Sequence, residues 1–152
     1  ALDLIAREAE LLDAKNYEEW KDLYAPTAYY IIPIDPETVD FENSLNMVYD
    51  DATMRDLRVT RMTEGYAIAA VDSATTVRTV GRVVPARVDD DTVELRVGQT
   101  LVAYKRGRHD IWSASVEFTI TLGAGPREDR IARKVIRLID GNDEVPAAGF
   151  LL

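Results

Sequence analysis

Ile111-Trp112-Ser113-Ala114-Ser115-Val116-Glu117-Phe118-Thr119-Ile120-Thr121-Leu122 alternates along its length. Trp112, Ala114, Val116, Phe118, Ile120 and Leu122 share one side, and Ser113, Ser115, Glu117, Thr119 and Thr121 share the other. That period of two marks a strand with one buried face. Thr75 to Arg87, Thr92 to Arg106 and Arg130 to Leu138 are three further long β-like runs. They are separated by Asp89-Asp90-Asp91, Gly107-Arg108-His109-Asp110 and Gly123-Ala124-Gly125-Pro126, all turn-forming chemistry. Four consecutive strands joined this way predict an antiparallel meander.

Upstream the period is helical. Leu4, Ile5, Ala9, Leu11 and Leu12 recur at helical spacing between Leu2 and Ala14, with Arg7, Glu8 and Glu10 set between them. Asn16 reads as an N-cap with Glu19 at the third helical position, ahead of Trp20, Leu23 and Tyr24. Tyr29 to Pro33 reads as a short strand halted by Pro33 and Pro36, and the acidic stretch Asp35 to Asn46 as a loop. A third helix is predicted over Ala52 to Glu64, with Asp51 as its cap, Met54, Leu57, Arg58, Arg61 and Met62 on neighbouring turns, and Gly65 at its stop. The period changes after Asp72-Ser73. Helices first and hairpins afterwards predict an α+β fold. A cone-shaped, curved antiparallel or mixed sheet wrapped around the N-terminal helices would bury both sets. No repeat or linker divides residues 1–152, so one domain is expected.

Composition excludes several functions. Lys plus Arg number 18 against 27 Asp plus Glu, a net charge of −9, which repels a phosphate backbone. No nucleic-acid partner is expected. Without cysteine the chain builds no disulfide, thiolate-bound cluster or cysteine nucleophile. With one histidine it cannot supply a two-histidine iron site or a Rieske centre by itself. No apolar run approaches the ~20 residues of a membrane span and no signal sequence is visible, so a cytoplasmic location is the expectation.

The remaining candidates each have an ordinary reading. His109 lies in a predicted hairpin tip and is read as a water-facing residue, not a general base. Asp50-Asp51 is read as a helix entrance before an acid–base pair. Tyr17, Tyr24, Tyr29, Tyr30 and Tyr49 are read as core residues with hydroxyls at a rim. Arg58, Arg61, Arg78 and Arg82 are expected to meet carboxylates within the chain or across an interface. Gly123-Ala124-Gly125 opens no helix and is no phosphate loop, and Lys105-Arg106-Gly107-Arg108 is a basic hairpin end. The ending Val145 to Leu152 is apolar, so it must fold back on its own domain or be buried by another chain. Arg58, Arg61, Phe150, Leu151 and Leu152 are the candidate interface residues; no catalytic, cofactor or metal residue is assigned.

The order of pieces resembles one family. Ile5…Glu8-Ala9…Leu11-Leu12-Asp13…Tyr17…Trp20…Leu23-Tyr24, Tyr30…Pro33, Tyr49-Asp50-Asp51…Leu57-Arg58…Arg61-Met62, Thr76-Val77-Arg78…Val80 and Arg133-Lys134-Val135…Leu138…Asp143…Phe150-Leu151-Leu152 are similar to the β subunits of bacterial aromatic ring-hydroxylating dioxygenases. Ala74-Thr75 replaces a common Ser-Arg, Arg82 a usual Asn, and Trp112-Ser113-Ala114 a Tyr-Gly-Arg. The resemblance implies a nuclear-transport-factor-2-like (NTF2-like, cystatin-like) cone. It implies a structural role beside an α subunit that holds a Rieske [2Fe-2S] cluster and mononuclear Fe(II), in an α3β3 hexamer with β–β contacts. A reductase, with or without a ferredoxin, would supply electrons for aromatic compound catabolism, and the isolated β chain would be inactive. The alternative is a stand-alone enzyme (isomerase, dehydratase or hydrolase) or a small-ligand binding protein using the cone interior. The apolar ending and the lack of an inward His–Asp or paired-carboxylate set favour the subunit.

Overall fold

Helix α1 (Leu2–Asp13) turns its Leu4, Ile5, Glu8 and Leu12 side inward, and the short α2 (Tyr17–Lys21) buries Tyr17 and Trp20. Asn16 caps α2 as its sequence predicts, its side-chain oxygen accepting the Glu19 N–H. These come from a computed structural model that describes residues 1–69, 74–143 and 149–152, with side chains 65–69 outside the description. The Asp72-Ser73 break and the segment 144–148 therefore lie outside the described residues.

Strand β1 (Tyr24–Pro33) begins five residues before the predicted Tyr29, because Tyr24 pairs with Ile131 far along the chain. A second strand the periodicity did not reveal, β2 (Asn46–Asp50), pairs antiparallel with β1. Helix α3 (Ala52–Ala69) starts on Asp51, whose carboxylate accepts the Met54 N–H at 2.9 Å. It passes through Gly65 instead of stopping there, since glycine adopts helical torsions readily and costs only about 1 kcal/mol against alanine. Among its described side chains Arg55 and Val59 are buried and Met62 is half-buried, whereas Met54 and Leu57 face solvent.

The four long runs become β3 (Thr75–Val88), β4 (Thr92–Lys105), β5 (Arg108–Thr121) and β6 (Arg130–Leu138). Successive strands pair antiparallel, and β6 closes against β1 in parallel, giving a mixed six-stranded sheet in the order β2-β1-β6-β5-β4-β3. The sheet remains open at both edges. The β4–β5 turn is tighter than predicted: Lys105 pairs with Arg108, and Arg106 and Gly107 take positive φ of 51° and 79°. Two left-handed residues are what a two-residue hairpin requires. Arg82 also has positive φ, 47°, at a bulge between Gly81 and Val84. Such a conformation suits asparagine better than arginine.

Helices α1 and α2 pack on one face of the sheet, and the alternating residues of β5 (Trp112, Ala114, Val116, Phe118, Ile120) complete one apolar cluster with them. Phe150, Leu151 and Leu152 join that cluster, with exposures of only 8%, 5% and 6%. Phe150 stands edge-on to Trp112 at 5.7 Å. Burying three such side chains contributes about 1.5–3 kcal/mol each, against about 1–2 kcal/mol per residue of backbone ordering. The margin is small, so the tail needs the polar contacts described below. Phe150→Ala should cost about 3 kcal/mol through the cavity it leaves under Trp112, read as a lowered denaturation midpoint at unchanged m-value.

Candidate functional site

The interior holds a set of polar groups among apolar walls. Glu8, on α1, and Lys134, on β6, are both essentially inaccessible, and Lys134 Nζ donates to both carboxylate oxygens at 2.8 and 3.0 Å. Trp20 Nε1 and the Tyr24 hydroxyl donate to the same Glu8 oxygen, at 3.0 and 3.2 Å. Lys134 directs a third hydrogen bond, 3.2 Å, to the main-chain oxygen of Leu152, which also accepts the Tyr30 hydroxyl at 2.8 Å. The ammonium further lies 5.5 Å from the Phe118 ring centre and 5.8 Å from that of Tyr30. All three ammonium protons have acceptors, and the Tyr24 and Tyr30 hydroxyls serve as donors.

A second buried group secures the edge. Arg78 on β3 pairs with Asp13 at the end of α1 and donates to the Leu151 main-chain oxygen. Asp13 also accepts the Thr76 hydroxyl at 2.9 Å and the Arg78 backbone N–H at 2.7 Å. One carboxylate thus covers part of an edge strand that would otherwise offer unpaired donors. Arg55 donates to the main-chain oxygens of Ala28 and Ala25 and lies 4.8 Å over the Tyr24 ring. The last two residues of the chain are therefore held by three side chains from β1, β3 and β6.

Burial governs the protonation of this interior. It pushes the Lys134 ammonium down, opposed by Glu8. It pushes the Tyr24 and Tyr30 hydroxyls well up, reinforced in both cases by the Glu8 charge, so both tyrosines stay neutral donors.

The other sequence candidates lie elsewhere. His109 is exposed on β5 opposite Tyr104, the rings 4.8 Å apart. Asp51 caps α3 while Asp50, buried, is gripped by Arg58, with the second contact at 3.0 Å, so the two carboxylates do not act as a pair. Arg61 is exposed, its Nε 3.3 Å from the Leu57 main-chain oxygen. Tyr29 and Tyr49 are not core residues: their rings meet at 5.1 Å on the outer side of β1 and β2. Among the described residues no three His, Cys, Asp or Glu side chains gather to hold a metal.

Glu8 and Lys134 are singled out in the sequence only within the family resemblance, and their burial and pairing are not legible there. Glu8 lies between the apolar residues of α1, yet it falls with Leu4, Ile5 and Leu12 at helical spacing on the buried face. Lys134 alternates with Ile136 and Leu138 on the inward face of β6. A charge at an apolar register on each of two elements was the available signal, and it identifies neither partner.

Residues 7–142 match the family described as ring hydroxylating beta subunit. The β subunit of an N,N-dimethyl phenylurea N-demethylase from Sphingobium sp. (strain YBL2) is 26% identical over 106 residues, which are 67% of this chain and 60% of that one. The β subunit of benzoate 1,2-dioxygenase from Burkholderia mallei superposes with a TM-score of 0.78 at 21% identity, over 90% of this chain and 87% of that one. An NTF2-like protein with a cystatin-like fold from Novosphingobium aromaticivorans superposes at 0.63 and 18% identity, over 91% and 79%. The cone is thus of the NTF2-like type.

Two measurements probe the interior. Lys134→Met strands the Glu8 carboxylate and should cost about 3–5 kcal/mol, whereas adding Glu8→Leu should recover most of that loss in the double variant. A double variant that loses as much in urea melts as the two single variants summed would show that the charges are not coupled. Tyr24 and Tyr30 have folded-state values raised above the ordinary ~10, so their contribution is whole below that pH and is lost as the pH climbs toward the folded values. Lys134, depressed when folded, works the other way, adding stability as the pH rises from its folded value to about 10.4. Tyr30→Phe should therefore lose about 1 kcal/mol at neutral pH and show a shallower alkaline decline, followed by melts across that range.

Proposed function

This chain belongs to the ring hydroxylating β-subunit family, and from that premise we propose that it is the structural subunit of a Rieske-type aromatic ring-hydroxylating oxygenase, without metal or catalytic residues of its own. The observation that carries the reading is the mutual bonding of the buried acid, base and tyrosines. Where a stand-alone NTF2-like enzyme would need a cavity with a free acid or base, Glu8, Lys134, Tyr24 and Tyr30 bond to one another and to the tail. Interior groups already bonded within the chain support assembly over catalysis, and weigh against the enzyme and small-ligand alternatives.

In this reading the partner is an α subunit that carries the Rieske cluster and mononuclear iron, in an α3β3 arrangement served by a reductase with or without a ferredoxin. The outer face of α3 is our choice for the α contact. Met54 and Leu57 are 39% and 50% exposed there, next to Arg58 and Arg61 one turn on. Arg61 would reach the partner, Arg58 would act while holding Asp50, and Phe150, Leu151 and Leu152 would contribute from beneath by holding the core that carries this surface.

Co-expression with a Rieske-type α subunit encoded beside this chain, where one is found, tests the proposal. The two chains should co-purify in equal amounts, with all iron lost when α is omitted and no oxidation of aromatics by the isolated chain. Leu57→Glu with Arg61→Glu should weaken co-purification while leaving the melting temperature of the chain nearly unchanged, as expected of surface substitutions. Stoichiometric iron in the isolated chain, or a hydroxylase of full activity without it, would overturn the reading.

A further inference from the structure

Two neighbouring surfaces on the outer side of the sheet carry charges with no partner among the described residues. The first is the loop of residues 34–45 between β1 and β2. Arg137 fastens it to β6 by donating to the main-chain oxygens of Pro36 and Thr38 at 2.8 and 2.7 Å, and its guanidinium lies 5.3 Å from the Phe41 ring centre. Asp40 accepts two hydrogen bonds from the Asn43 amide, and Asn46 donates to the main-chain oxygens of Phe41 and Ser44. The loop is thus internally braced, yet it presents Val39 and Leu45 at 84% and 80% exposure. Its Glu37 and Glu42 carboxylates are exposed and have no hydrogen-bond or ion-pair partner among the described residues.

The second surface is a notch of about 190 Å³ lined by Arg82, Val84, Arg96 and Ser115. The Arg82 guanidinium lies over Gly98, with Nε and Nη2 3.5 Å from where a Cβ would stand. Arg96 faces Glu117 across the β4–β5 ladder, but Arg137 already occupies both oxygens of that carboxylate, at 2.9 and 3.3 Å. Arg82 and Arg96 therefore share one small notch with no partner among the described residues, in a chain of net charge −9. Beside it, the outward cross-strand rows from Val77–Val102–Ile111 to Gly81–Gly98–Ser115 carry no charge, and Val77 and Ile111 are 63% and 67% exposed.

We propose that the 34–45 loop of one chain docks against the Arg82–Arg96 notch of a second copy, Glu37 and Glu42 meeting the two guanidinia while Val39 and Leu45 cover apolar surface beside them. Charge selects the occupant. Two chains of −9 repel over most of their surfaces, and this pairing sets free carboxylates against free guanidinia. Both halves reside on every copy, so the contact can be made in succession around a closed three-membered ring. The inference rests on the assembly reading for its setting, since it assigns the β–β contact there.

Sedimentation velocity of the full chain, with circular dichroism to monitor folding, tests it. The chain should self-associate in a salt-sensitive way. Glu37→Arg with Glu42→Arg, and Arg82→Glu with Arg96→Glu, should each weaken association about tenfold or more, and a chain carrying all four reversals should regain it. The milder glutamine replacements at the same pairs should weaken it in the same direction if a reversal does not fold. A wild-type chain that stays monomeric at every concentration reached, or a folded four-fold variant that fails to regain association, would overturn the inference. Capture of the α subunit is read in parallel. Captured α with no charge-swap effect sinks this contact and leaves the β-subunit reading standing; a charge-swap effect with no captured α does the reverse.

Discussion

Everything inside the cone is arranged around the Lys134–Glu8 pair. Two charges withdrawn from water cost several kcal/mol each, and their attraction repays this only with close geometry and all remaining hydrogen-bonding capacity used. Here Glu8 accepts from Lys134, Trp20 and Tyr24, and Lys134 completes its set on Leu152. Five separate segments are drawn to one point: α1, α2, β1, β6 and the tail. A hydrophobic pair would bury as well but would tolerate rotation of α1 or slippage of β6. The ion pair penalises either, because a one-residue slip turns Lys134 to the other face of the sheet.

The tail inherits its place from this constraint. Its apolar side chains contribute little more than the entropy of ordering them. Donors from Tyr30, Lys134 and Arg78 to the Leu151 and Leu152 oxygens supply the rest, at the strength of hydrogen bonds to charged groups. Phe150, edge-on to Trp112, joins the same apolar cluster. With these inner groups bonded to one another, the proposed contacts fall on the outside: the exposed side of α3, the braced 34–45 loop and the arginine notch. The departure at Arg82 fits this division, since an arginine in a left-handed conformation is locally unfavourable and places its guanidinium on the outer face.

Much of the scaffold was legible along the chain. The strands β4 and β5 announced themselves because most of their inward residues are apolar and most of their outward ones small or polar, and the caps Asn16 and Asp51 sit where short polar side chains meet the first free N–H groups. β2 was not legible: five residues of mixed burial are held in a strand only by pairing with β1. The early start of β1 depends likewise on Tyr24 meeting Ile131. The stop expected at Gly65 failed because a helix ends where its surroundings end it, and glycine alone is a weak terminator.

The sequence by itself determined the period of each element, the turns between them, the α+β order, the family likeness, and the inability of this chain to assemble a thiolate or two-histidine metal site. All of these follow from residue type and from contacts within a few positions. Tertiary structure alone decided which polar residues go inside and what they meet there. Glu8 and Lys134 lie 126 positions apart, and Arg78 and Leu151 lie 73 apart. Nothing local distinguishes a charged side chain bound for water from one bound for a buried partner, because the energy that selects between them exists only once both have left the solvent together.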